Sequence, residues 1–158
     1  MDKLKRISLI VFQTNNSWEP FILRVSLGLV ILAHGLQKLL GWFGGYGISG
    51  TMNYFTTAVG LPWILGFFII LLESFGALCL ILGIGTRVIA ASLVMLALGI
   101  IFSSHIQNGF FMNWYGNQPG EGVEYFLLWI GMAIGLSIAG GGKFSIDRFS
   151  AMIIGRVG

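Results

Sequence analysis

The chain has 158 residues, 56% hydrophobic and only 9% charged, with a net charge of +3 and a mean hydropathy of +0.87. A soluble domain carries roughly 25% charged residues, so this composition excludes a free soluble globule and points to helices packed in lipid. One cysteine, Cys79, lies in an apolar run and rules out an internal disulfide, a CxxC redox pair and a thiolate metal cage.

Residues 1–16 join Lys3, Lys5 and Arg6 to the short apolar stretch Ile7 to Phe12, without a small-residue cleavage site. They read as mature protein and as an interfacial segment, its cations near anionic headgroups and its aliphatic side chains reaching into lipid. The first long apolar segment is Phe21 to Trp42, preceded by the start signals Ser17 and Pro20. At about 33 Å as a helix it can cross a hydrocarbon core of about 30 Å. Gly41 to Gly50 is glycine-rich and holds Trp42, Phe43 and Tyr46, the composition of a membrane-interface loop, and Thr51 to Val59 suits a short interfacial helix.

Pro62 and Trp63 open the second span, which runs to about Ile84. Gly83-Ile84-Gly85-Thr86 makes a tight turn, and Arg87 opens a third span through His105. Gln107 to Gly122 is a second aromatic loop, and Glu124 to Ala139 is the last, shorter span. Gly140-Gly141-Gly142 stops it before an amphipathic tail with Ile146, Arg148, Phe149 and Arg156. The chain shows no repeat and no second domain. Its organisation reads as residues 1–16, a four-span domain over 17–142, and a tail over 143–158.

Under this threading Lys3, Lys5, Arg6, Arg87, Lys143, Arg148 and Arg156 fall on one side. The positive-inside bias therefore places both termini and the short turn in the cytoplasm and both aromatic loops outside. The expected fold is all-α: an integral membrane four-helix bundle of antiparallel up-down topology with both termini cytoplasmic.

An ionisable group at mid-bilayer costs about 2.5–3.5 kcal/mol on insertion scales, so such residues need partners or water. Arg24, near the cytoplasmic end of the first span, suits an interface anchor whose guanidinium snorkels. His34, Gln37 and Lys38 stand at i, i+3 and i+4 on one face, with His34 about 12 Å below the outer helix end. Glu73 falls about 15 Å below Trp63, within about 80° of Gly66, Gly76 and Gly83 on a helical wheel. Glu124 lies within about 20° of Gly131, Gly135 and Gly142, which predicts an inward, small-residue face for the last span. It also suits the positive end of its helix dipole. With His105 closing the third span, ionisable residues from four helices suggest a polar cavity in the outer half of the bilayer.

The run His34-Gly35-Leu36-Gln37-Lys38-Leu39-Leu40-Gly41-Trp42-Phe43-Gly44-Gly45-Tyr46-Gly47 resembles the DoxX family. So do Gly60-Leu61-Pro62, Glu73 with Gly76, Leu82 to Arg87, His105 before Gly109-Phe110-Phe111, Glu124-Tyr125, and Gly142 to Asp147. The resemblance spans roughly Phe21 to Phe149. It implies a bacterial inner-membrane, four-helix protein similar to the DoxD-type subunit linked to thiosulfate oxidation by quinone. It also embraces accessory membrane partners of soluble redox enzymes in oxidative-stress defence.

The functional expectation is a membrane subunit of a redox complex that accepts a quinone or similar apolar ligand. Lys38, His34 or His105 would donate to a quinone carbonyl, with Glu73 as a proton carrier. No flavin, nicotinamide, iron–sulfur or thiol motif is encoded, so electrons need a partner subunit. The alternative from another class is a non-catalytic scaffold or assembly subunit, working with other subunits or as a homo-oligomer. Haem between His34 and His105 and transport rank lower, and metal and nucleic acid are not expected.

Overall fold

The computed structural model describes residues 12–156, so the expected interfacial segment, with Lys3, Lys5 and Arg6, lies almost wholly outside the described residues. Within them the chain is all-helical, with no strand. The long elements are α1 (Trp18–Leu40), α2 (Gly47–Asn53), α3 (Trp63–Leu82), α4 (Thr86–Asn108), α5 (Glu124–Ala139) and α6 (Ile146–Arg156). α1, α3 and α4 are each long and apolar enough to cross a membrane, while α5 has 16 residues.

The helix ends follow from local chemistry. Gly41 adopts φ 76° and its N–H reaches the Gln37 carbonyl at 3.2 Å, which stops α1 two residues earlier than the apolar run suggests. At the other end of α3, the N–H groups of Gly83 and Ile84 bond the carbonyls of Leu80 and Cys79 at 3.0 and 2.8 Å. That is a Schellman closure, and the positive φ of 69° is the reason for glycine at 83.

α1 is central. It packs along α3 and α5, and α5 packs along α4. Two glycines of α1 set its approach to α3. A Cβ at Gly28 would sit 3.2 Å from the Ala77 carbonyl, and one at Gly35 would run into the Glu73 carbonyl. The shared core includes Leu27, Ile31, Ala77, Leu80, Leu93, Ala97, Ala133 and Leu136. α3 and α4 pack together from the Gly83 turn up to the Leu72–Gly76 stretch and diverge towards the aromatic loops. The outward faces stay apolar and exposed, as at Met95 (69%) and Ile138 (71%), a surface suited to lipid rather than water.

Two expectations are corrected here. Gly131 is exposed, with nothing within 4 Å of a Cβ placed there. The buried face of α5 is instead Phe126, Trp129, Ala133 and Leu136, because aromatic bulk fills the centre where a glycine stripe would leave voids. Arg24 does not snorkel: it is 1% exposed. Its Nε donates to Gly141 O at 2.9 Å, its Nη2 to Lys143 O and Phe144 O at 3.0 and 2.9 Å, and its Nη1 to Ile81 O. The tight Gly140–Gly142 turn brings these carbonyls to the guanidinium, which satisfies it without water.

Asp147 completes this knot. It is 1% exposed, and its two carboxylate oxygens accept the N–H groups of Gly85 and Thr86 at 2.7 and 2.8 Å. An acid at a helix N-terminus satisfies orphan donors and complements the dipole. Here the start of α4 is capped from the first turn of α6, so the amphipathic tail is tied to the bundle.

Candidate functional site

The divergence of α3 and α4 leaves a cavity of about 620 Å³. α2 and the turn that extends it border this gap, with the Phe55 ring and Met52 sulfur packed on Gly66 of α3, 3.1 and 3.4 Å from where a Cβ would stand. The walls are mostly apolar, including Leu65, Phe68, Leu72, Met95, Leu96 and Ile100. Polar groups are few: His34 and Lys38 from α1, Tyr54 from the turn after α2, Glu73 from α3, Ser92, Ser103, Ser104 and His105 from α4, and Tyr125 and Trp129 from α5. Large apolar lining with a few polar groups is the usual makeup of a small-molecule site.

Three short π-helical stretches, Tyr54–Ala58, Leu72–Gly76 and Ile101–His105, belong to three different parts of the chain. Each contributes residues to this one cavity. A π-turn inserts a residue and re-aims the side chains after it, at a cost in hydrogen-bond geometry, and such turns concentrate at functional sites. In α3 the insertion includes Glu73, and Ser74 Oγ bonds back to Ile70 O at 2.6 Å.

The central polar contact is an ion pair between Lys38 Nζ and Glu73 Oε2. Glu73 is 2% exposed, and close packing of Gly35 on its backbone holds its helix against α1. A buried carboxylate needs such a partner. His34 lies one turn before Lys38, with its ring 6.3 Å from that of Tyr125. His105 packs edge-on against Phe126 at 4.7 Å, and its Nδ1 lies 3.3 Å from Ile100 O. Among the described residues, Trp129 Nε1 and Tyr125 Oη of α5 are buried without a hydrogen-bond partner.

A second cavity of about 280 Å³ adjoins the first and is lined by Gln37, Lys38, Gly44, Gly45, Tyr46, Thr51, Tyr54 and Phe55. Lys38, Tyr54 and Phe55 therefore stand in the wall between the two.

Of the residues singled out from sequence, His34, Lys38, Glu73 and His105 come together around the large cavity. Gln37 lines only the smaller one, and its Nε2 donates to Phe43 O at 3.3 Å. Glu124 lines neither cavity: its Oε1 accepts the Met112 N–H at 3.1 Å and Trp114 Nε1–H at 3.0 Å, so it organises the aromatic loop. Sequence reasoning passed over Tyr125, Trp129 and the two serines. Their signal was present in the four-residue spacing of Tyr125 and Trp129 on one helix face and in Ser103-Ser104 directly before His105. Among the described residues, no group of three or more His, Cys, Asp or Glu could hold a metal ion.

The DoxX family model matches residues 20–106, more than half of the chain. The protein belongs to the DoxX family. Its apolar helices make this DoxX protein a multi-pass membrane protein. It is also similar to a protein of Bacillus subtilis (strain 168) named "Putative oxidoreductase CatD", with 26% identity over 137 residues, covering 85% of this chain and 90% of the relative. No solved structure matches the chain.

Proposed function

We propose that this DoxX protein is the membrane subunit of a redox complex and that its large cavity takes a quinone or an analogous lipid-soluble molecule with a polar headgroup. The observation that carries this reading is the shape of the cavity. It lies between α3 and α4, and lining residues such as Phe68 and Met95 are also exposed on the outer, lipid-suited surface. It ends on Lys38, Glu73, His34 and His105. A molecule dissolved in the bilayer can reach those polar groups without crossing water.

The residues present fit a quinone. Its carbonyl oxygens accept hydrogen bonds, which Lys38, His34 and His105 can supply, and its ring suits the aromatic walls of Phe55, Phe126 and Trp129. A bound quinone supplies two-electron, two-proton chemistry. The chain's own residues bind and orient it and handle protons, while electrons come from a partner subunit. The oxidoreductase name of the Bacillus relative supports the redox association. In this reading the protein lies in a bacterial inner membrane as four spans, with both termini and the Arg24–Asp147 knot in the cytoplasm and the cavity in the outer half.

A second reading, a non-catalytic assembly subunit, is favoured by the exposed aromatics of the Gln107–Gly122 loop, where Trp114 and Tyr115 are 76% and 90% exposed. Purification in mild detergent, with mass spectrometry of proteins and extracted lipids, separates the two. Co-purifying quinone with a redox partner supports the first reading. A stoichiometric partner, no quinone, and no binding of added short-chain quinone overturn it in favour of the second.

A further inference from the structure

The two cavities differ in what they can admit. The larger opens through apolar side chains, whereas the smaller is bordered by Gln37, Thr51, Tyr46 and the Gly44–Gly45 backbone at the aromatic-loop end. Tyr46 is 83% exposed, and in the four-span reading proposed above this aromatic-loop end lies at the membrane interface, which makes the smaller space a vestibule to the aqueous side. Lys38 stands in both cavities and is one-quarter exposed. Glu73, 3% exposed along its side chain, lines only the larger one. Lys38 therefore borders both spaces, while the Glu73 carboxylate borders only the apolar chamber.

We propose that Lys38 and Glu73 form a proton-transfer gate between the vestibule and a ligand in the large cavity, an inference that rests on the quinone reading above. In the resting state the pair is ionised. In the transfer state a Lys38 N–H bond breaks and a Glu73 O–H bond forms, leaving a neutral amine and a neutral carboxylic acid. Quinone binding favours the transfer state, and on reduction Glu73 passes the proton to a ligand oxygen and returns to carboxylate. Lys38 regains a proton from vestibule water. Electrons for any reduction arrive separately, from a partner redox subunit.

The other titratable groups facing the pair are His34 from α1, His105 from α4, Tyr125 from α5 and Tyr54 from the π-turn after α2. His34 is the nearest in sequence and can share the proton within the chamber. None of these except Tyr54 also lines the vestibule, which leaves Lys38 as the cation at the partition.

The test is infrared difference spectroscopy of the protein in lipid nanodiscs, loaded in turn with a short-chain benzoquinone and with its quinol, in H2O and D2O. A carboxyl C=O band should change between the two ligand states, shift in D2O, and be absent from Glu73→Gln. In Lys38→Met, which keeps the carboxyl and removes its donor, the band should be present with either ligand. Thr51→Leu narrows the vestibule and should slow the D2O shift several-fold; Gln37→Leu replaces it if that variant does not fold. Ligand binding without a carboxyl change in the wild type overturns the gate and leaves the quinone reading standing. An unaltered exchange rate in the narrowed vestibule overturns the route. Failure of both ligands to bind overturns gate and quinone reading together.

Discussion

Gly35 of α1 lies so close to the Glu73 carbonyl of α3 that a methyl group has no room between them. The obstacle is backbone rather than a flexible side chain, so the helices must separate to admit one. Gly35→Ala gains up to about 1 kcal/mol of helix propensity, but overpacking costs typically 1–3 kcal/mol. The expected result is a lower thermal midpoint in detergent and weaker quinone binding, because the Lys38–Glu73 pair spans the same interface. Gly131→Ala serves as the control. Its Cβ meets nothing within 4 Å, and it should leave stability equal or slightly raised.

Removing one member of the ion pair should cost more than removing both. Lys38→Met leaves Glu73 buried without its cation, and breaking a fully buried pair costs about 3–5 kcal/mol. Partial exposure of Lys38 lowers that figure. The double variant Lys38→Met/Glu73→Gln has no orphaned charge and should recover part of the loss. A double-mutant cycle of denaturation measurements reads this as a coupling of about 1–3 kcal/mol. Additive single effects would show that the pair contributes nothing to folding.

Gly99 lines the large cavity from α4, and a Cβ there meets nothing within 4 Å. Gly99→Phe should therefore fold with an unchanged or raised thermal midpoint while filling space that the proposed ligand uses. Equilibrium binding of a short-chain quinone should weaken tenfold or more. Retained affinity in this variant would place the ligand elsewhere.

Arg24 and Asp147 hold the opposite end of the bundle. Arg24→Lys keeps the charge but cannot reproduce a planar guanidinium donating to Gly141, Lys143, Phe144 and Ile81. Each buried carbonyl left unpaired costs about 1–3 kcal/mol. Asp147→Asn loses the second acceptor at the start of α4, and cap losses cost about 0.5–2 kcal/mol. Both variants should release α6, read as faster proteolysis after Gly142. Quinone affinity should stay near wild type in the fraction that remains folded, since neither residue lines the cavity.

The membrane class, the helical content and the approximate ends of α1, α3, α4 and α5 were legible in the sequence because each depends on local information. Apolar runs of spanning length, a glycine where φ must be positive, and aromatics beside turns act within a few residues. The DoxX relationship was legible for the same reason, in contiguous motifs. So was the unusual placement of His34, Lys38, Glu73 and His105 within apolar segments, since a charge there stands out against its neighbours.

What only the tertiary structure decided is where those side chains meet. Arg24 and Glu124 looked like anchor and cavity candidate, but the first is enclosed by carbonyls brought from 57 to 120 residues away along the chain and the second is drawn to Met112 and Trp114. Helical phase from a wheel gives a direction about one axis, whereas packing depends on the volumes of all the neighbours. For that reason Gly131 ended outside and Trp129 inside. The π-turns also re-aim Glu73 and His105 relative to an ideal helix, and Phe55 and Met52 pack on Gly66 where α3 leaves α4. The sequence by itself determined the solvent, the elements and the family; long-range close packing decided which of the ionisable residues share a chamber.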